Sequence, residues 1–247
     1  MLYVNAMHRY LATLPLKPYL APTLKDVRLR TVRPSVAVNS IEGVIGGKTR
    51  NLARLKKPIH LQFANWLSTP GGVLSFTRQY GPLQGQYVPG ERFELYVSKW
   101  RTQQGNFRAF WQWNSRKDKW DVLVTALRDQ LKYVSGALTT GDTGDLEFWP
   151  SEPSIDFALG RHRTNLALTL AASDLWQYIL LLFIQEPLGM LRLCNRNDCE
   201  EPHYIARRRD QKFCSKYCAG LVAQRRWWKA HGEEWRRKWK RKKKLRR

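Results

Sequence analysis

The sequence predicts an α+β protein: a helix-dominant N-terminal domain with one or two small β-hairpins, then a compact cysteine-bearing module that runs into a basic helix. Three observations predict it. Apolar residues in the first three-quarters of the chain recur mostly at helical spacing, with one stretch of strand-like alternation. All four cysteines of the 247-residue chain lie within residues 194–218. Residues 194–247 hold 19 lysines and arginines against 6 acidic residues.

Over residues 1–57 the pattern is mixed. DVRLRTVRPSVAV alternates at Val27 and Leu29 and again at Val36 and Val38, broken by Pro34, while IEGVIGGKTRN reads as loop. STPGGVLSFTRQYGPL has the pattern of a short helix. Thr69 can cap it, Pro70 fits its first position, and Val73, Phe76 and Tyr80 share a face. Gly81 can take the left-handed conformation beyond its end, and Pro82 stops continuation. Phe93, Val97, Trp100, Phe107 and Trp111, with Gln104 in the series, mark a longer helix. Gly105 costs about 1 kcal/mol there relative to alanine and marks a place for a kink. Trp120, Leu123, Val124, Leu127, Leu131 and Val134 suggest a third helix.

The period then changes. Ile155, Phe157 and Leu159 alternate, GRHR reads as a turn, and Leu166, Leu168 and Leu170 alternate again, a hairpin pattern. Asp174 followed by Gln177 resembles a capping box opening LWQYILLLFIQ, which Pro187 and Gly189 end. Aromatic residues at these spacings read as core.

Composition bounds the function. Apolar residues are 43% of the chain and aromatics 12%, with 11 tryptophans, which excludes a disordered chain. The formal charge is +23 and the isoelectric point about 10.3. A dense block of one sign on a short segment points to a polyanion, either nucleic acid or an anionic membrane surface. MLYVNAMHRYLATLPL is interrupted by Asn5, His8 and Arg9, unlike a secretory signal. LWQYILLLFI is half the ~20 residues of a bilayer span. The expectation is a cytoplasmic protein without a membrane span, nucleoid-associated if it binds DNA. An enzyme is not expected. The five histidines and scattered acids form no catalytic spacing, and IGGKTRN lacks the first glycine of a phosphate-binding loop at the required distance.

The cysteines are spaced Cys194-x4-Cys199-x14-Cys214-x3-Cys218. Two close pairs joined by a loop can supply four thiolates to one tetrahedral zinc ion. Asn195, Asn197 and Asp198 suit a tight turn between the first pair. Cys214 just before a helix and Cys218 in its first turn would face the same way, with Ser215 as cap, a treble-clef style of site. Such a closed site is structural, with no open position for substrate. Two disulfides are the alternative, less suited to a reducing compartment. His203 reads as a surface residue, with ligation as the other reading.

The run CNRNDC, Tyr204, RRRDQKFCSKYC and QRRWW resembles the bacterial CGNR-type zinc-finger proteins. These join a mainly helical N-terminal domain, called ABATE in some members, to a C-terminal finger. The matching parts are Cys194 and Cys199, Tyr204, Arg207 to Arg209, Phe213-Cys214-Ser215, Cys218, and Arg225 with Arg226. Ala219-Gly220-Leu221 stands where that family has Gly-Asn-Arg. The resemblance implies a transcription regulator. It also implies a mainly helical domain over 1–190 that senses or dimerises, a four-cysteine finger over 191–230, and a basic tail over 231–247, helical or disordered.

Beyond Cys218 the chain can continue as one helix, with Leu221, Trp228, Trp235 and Trp239 on a stripe and Gly232 as its weak point. Arg207, Arg208, Arg209, Lys212, Lys216, Arg225, Arg226 and Lys229 are the candidate phosphate or base contacts. The expected partner is nucleic acid, DNA ahead of RNA, and a homodimer is compatible. The expected role is a zinc-dependent DNA-binding transcription regulator. The alternatives are an RNA-binding or ribosome-associated protein, whose tryptophans stack bases, and a protein-interaction module. A basic helix lying on anionic lipid is a further reading of the tail.

Overall fold

The computed structural model describes residues 16, 18–33, 38–85, 88–114, 157–162, 165–170, 172, 174–187 and 189–244. Strands β1 (Leu20–Arg33) and β2 (Val38–Asn51) are followed by a 3-10 turn at Leu52–Arg54, then α1 (Ile59–Asn65) and α2 (Pro70–Tyr80). Next come β3 (Arg92–Tyr96), α3 (Val97–Asn114), β4 (Phe157–His162), β5 (Asn165–Leu170) and α4 (Leu175–Gln185). The short strands β6 (Leu191–Leu193) and β7 (His203–Ile205) precede a long α5 (Lys216–Lys244). β1, β2 and β3 form an antiparallel sheet in that order, and β4–β5 and β6–β7 are antiparallel hairpins.

The helices form where local chemistry starts and stops them. Thr69 accepts from the Gly72 N–H at 3.1 Å, with Pro70 at the first helical position of α2. Asp174 does the same for α4, accepting from the Gln177 N–H at 2.8 Å. Val73, Phe76 and Tyr80 turn inward from α2, and Trp100, Phe107 and Trp111 from α3. Phe63 of α1 is the hub of the core. Phe76, Trp100, Phe107 and Trp176 meet it edge-on at centroid distances of 5.1–5.9 Å, the favourable aromatic geometry.

Gln104 interrupts the apolar series on α3 for a reason. α1 ends at Asn65 and leaves carbonyls without helical partners. Gln104 Nε2 donates to the carbonyls of Phe63 at 2.7 Å and Trp66 at 2.9 Å. One turn on, Arg108 donates to Ala64 and Trp66 at 2.8 and 2.9 Å. α3 therefore caps α1 from the side.

Several expectations are corrected. IEGVIGGKTRN is strand, not loop: Ile41 pairs with Leu29 and Leu95, and Ile45 with Leu24. Two of its three glycines leave room for crossing side chains. A Cβ on Gly43 would lie 2.9 Å from Phe93 Cε1, and one on Gly46 2.6 Å from Thr23 Oγ1. Phe93 lies in β3, and the helix begins at Val97. Both residues face inward, so a strand-to-helix junction mimics a continuous helical period. α3 runs unbroken through Gly105. Gly81 has φ of 91°, as expected for glycine, but its ψ of 172° is extended rather than left-handed helical. Gly160, Arg161 and His162 pair within β4, so they are strand rather than turn. The third helix falls outside the described residues. Among the described residues of 1–190, strand is nearly as extensive as helix, so the mixed fold and the small hairpin at 157–170 stand, while helix dominance does not extend to these residues.

The β6–β7 hairpin is where the cysteine region meets this body. Leu191 belongs to the main core. Trp111 Nε1 donates to the Arg192 carbonyl at 3.1 Å. Asn65 at the end of α1 acts as a one-residue mimic of a neighbouring strand. Its Nδ2 donates to the His203 carbonyl at 2.8 Å, and its Oδ1 accepts from the His203 N–H at 3.0 Å. Lys57 and Glu201 form a surface ion pair at 2.7 Å beside it.

Candidate metal centre

Each cysteine pair is held by its own local structure. Cys194 leaves β6 with its N–H donating to the Pro202 carbonyl at 2.7 Å. The following turn closes where the Cys199 N–H donates to Arg196 O at 3.1 Å. Cys214 and Cys218 straddle the start of α5. Ser215 Oγ accepts from the Cys218 N–H at 3.2 Å, a helix cap that sets both sulfurs on one side. The Asn195 N–H donates to the Lys212 carbonyl at 2.9 Å and ties the two halves together.

All four sulfurs lie within 4.8 Å of one another. Cys199 is 3.6 Å from Cys214 and 3.8 Å from Cys218, and Cys214 is 3.4 Å from Cys218. Four thiolates at ~2.3 Å from a central ion define a tetrahedron with edges of ~3.8 Å. The separations among Cys199, Cys214 and Cys218 are close to that figure, Cys194 lies within 4.8 Å of them, and all four cysteines are free thiols rather than disulfides. The quartet could therefore hold one metal ion. Tyr204, Ala206 and Phe213 pack with the cysteines as a small second core.

Cys199 and Cys214 resist ionising. Burial first, then contact with Cys214, Cys218 and Cys194, pushes the Cys199 thiol well above its ordinary range. Burial and Cys218 raise Cys214 in the same way. Burial also raises Cys218, but contacts with Ser215, Cys214, Cys199 and Arg196 outweigh it and bring that thiol down to about 7. A bound divalent cation reverses such a balance, because it holds coordinating thiols deprotonated.

The loop between the pairs is ordered from within. Tyr204 donates its hydroxyl to the Gln211 carbonyl at 2.7 Å, and burial pushes this phenol up to about 12. Gln211 Oε1 accepts from the Arg207 N–H at 2.9 Å and its Nε2 donates to the Phe213 carbonyl at 2.8 Å. Arg207, Arg208, Arg209 and Lys212 are exposed on this loop, and Lys216, Arg225, Arg226 and Lys229 are exposed on α5. Arg207, Arg209, Lys212, Lys216, Arg226 and Lys229 form no ion pair among the described residues, and Arg208 lies 3.7 Å from Asp210.

Arg225 has a different place. Its two terminal nitrogens donate to both Asp198 oxygens at 2.9 and 2.7 Å. Arg196 Nε donates to the same carboxylate at 3.0 Å and Arg196 Nη1 reaches Cys218 Sγ at 3.6 Å. Hydrogen bonds from Arg225 and Arg196 hold the Asp198 carboxyl far below the usual range. This clasp joins the turn of the first cysteine pair to the third turn of α5. Sequence reasoning assigned Asp198 to turn geometry and did not pair it with Arg225, since the two are 27 positions apart.

His203 is neither a surface residue nor part of the sulfur cluster. It is 6% exposed, and its ring meets Trp111 edge-on at 5.5 Å. Its Nδ1 lies 3.2 Å from Asn65 Oδ1, while Nε2 is buried with no partner among the described residues. Burial, then the nearby Arg108 charge, brings its pKa down to about 4.

Among the described residues no helix is long and apolar enough to cross a membrane. Comparison of the chain with family models, with characterised proteins and with solved structures returns no match.

Proposed function

We propose that this protein is a zinc-dependent nucleic-acid-binding protein, and specifically a DNA-binding transcription regulator of the kind that the CGNR resemblance implies. The observation that carries the reading is the junction at residues 194–229. A four-sulfur cluster of tetrahedral dimensions sits between an exposed arginine loop and the root of a basic helix. Zinc is the metal that best suits four thiolates in a closed site. It would fold the hairpin, loop and helix start as a treble-clef-like unit, and a closed site gives it no catalytic role.

α5 supports the polyanion partner. It holds 12 lysines and arginines against 2 glutamates over 29 residues. From residue 223 to 239 every position except Gly232 is exposed. At ~1.5 Å per residue it extends ~44 Å. Arg226 and Lys229 are the best base or phosphate contacts. Arg225, engaged with Asp198, aims the helix instead.

The test is retention on DNA by the zinc-loaded, the chelated and the zinc-restored protein, with metal content measured in each. Loss on chelation and recovery with zinc are expected. Equal retention by apo and loaded protein would falsify the zinc-dependent reading. If DNA is not retained but cellular RNA crosslinks, the RNA-binding alternative replaces the DNA reading.

A further inference from the structure

α5 carries a row of aromatic rings that the other described residues leave uncovered. Trp227, Trp228, Trp235 and Trp239 are 45, 42, 44 and 56% exposed. Their rings nonetheless touch in series. Trp227 meets Trp228 at 5.1 Å, Trp228 meets Trp235 at 5.3 Å, and Trp235 lies parallel to Trp239 at 5.6 Å. Steps of seven and four along the helix keep Trp228, Trp235 and Trp239 on one stripe.

Gly232 gives this row its continuity. It is buried under the Trp228 ring, and a Cβ there would lie 2.9 Å from Trp228 Cε3. Any larger residue would lift that ring away from Trp235. A glycine that weakens an exposed helix by about 1 kcal/mol has its explanation in the ring row.

Charge and composition select the occupant. A second copy of the helix would bring Arg226, Lys229, Arg236, Arg237 and Lys238 against their own equivalents. Bilayer binding scales with buried apolar area, and residues 223–239 contain no Leu, Ile, Val, Phe or Met to widen the tryptophan stripe into such a face. A duplex keeps its base faces stacked inside and offers the rings only edges and phosphates. Flat aromatic faces flanked by cations match one chemistry, unstacked bases joined by phosphates.

We propose that the tryptophan row of α5 is a stacking platform for an unpaired nucleic-acid strand, DNA or RNA alike, because stacking and phosphate attraction do not read the sugar. The inference rests on the nucleic-acid reading above and specifies the form of nucleic acid.

The test uses full-length, zinc-loaded protein. An oligothymidylate of about 15 nucleotides, an oligouridylate and a duplex of equal length, and phosphatidylglycerol vesicles are titrated at one salt concentration. Tryptophan emission and affinity are read, and the oligomeric state is measured by light scattering. Both single strands are expected to quench emission and to bind at least about tenfold more tightly than the duplex. Trp235→Leu/Trp239→Leu should weaken strand binding by about tenfold or more while leaving duplex affinity unchanged. The replaced rings are exposed, so circular dichroism should match wild type. Three results would overturn the stacking platform alone: duplex binding as tight as strand binding without quenching, unchanged strand affinity in the double variant, or quenching by one sugar type only. A response to vesicles but not to strands, or a dimer that the double variant dissolves, also overturns it. If neither strand nor duplex binds, the nucleic-acid reading falls with it.

Discussion

Replacing Asn65 by alanine should separate the cysteine region from the body. The Asn65 amide completes both backbone groups of His203, at 2.8 and 3.0 Å, in an interface where His203 and Leu191 are buried. Asn65→Ala leaves that N–H and that carbonyl without partners. Each unsatisfied buried group costs about 1–3 kcal/mol, so the loss of two should be about 2–6 kcal/mol. Total stability is of order 5–15 kcal/mol, so the effect is large. At ~2–4 °C per kcal/mol for a chain of this size, Tm should fall by roughly 4–24 °C. Asn65→Asp should do no better, since it keeps an acceptor for the N–H but sets a carboxylate oxygen against the His203 carbonyl. The assays are thermal unfolding and hydrogen exchange resolved to residues 191–205. A Tm within about 2 °C of wild type, with unchanged protection of that hairpin, would refute the docking of β6–β7 on α1.

Three further outcomes are expected. Gln104→Leu restores a fully apolar series on α3 yet should lower stability by about 1–3 kcal/mol in urea unfolding, because the Phe63 and Trp66 carbonyls lose a donor. Burial raises the Asp174 carboxyl to about 6 despite hydrogen bonds from the Gln177, Gly85 and Trp176 backbones. Its ionised form therefore opposes folding above pH 6, and protonation relieves this as pH falls through 6 towards 4. Asp174→Asn keeps a capping acceptor, so it should be more stable than wild type at pH 7 by up to about 3 kcal/mol, an advantage that fades near pH 4 in unfolding measured across that range. His203 works with the opposite sign. A neutral imidazole brought down to about 4 gives stability that is complete above pH 6.5 and lost as pH falls to 4. His203→Gln should flatten that part of the stability–pH curve.

Caps and cysteine spacing were readable because they are local. Thr69, Asp174 and Ser215 each accept from a backbone N–H three residues on, so residue type and position suffice to place them. The two cysteine pairs are legible for the same reason. A turn of six residues and the first turn of a helix each fix the separation of their own sulfurs. The strand over 38–51 was not readable. Its glycines signal loop until Phe93 and Thr23, 50 and 23 positions away, are seen to cross it. Gln104 looked like a flaw in an apolar series until the open carbonyls of α1 appeared beneath it.

By itself, the sequence determined which residues gather the sulfurs, where α2, α4 and α5 start, and that positive charge concentrates near the C-terminus. These follow from backbone geometry over a few residues and from composition. Only the tertiary structure decided that His203 is a buried joint, that Arg225 belongs to Asp198, and that the tryptophans of α5 lie open. Burial and hydrogen-bond partnership depend on which distant segments come to lie alongside, and spacing along a chain does not encode that.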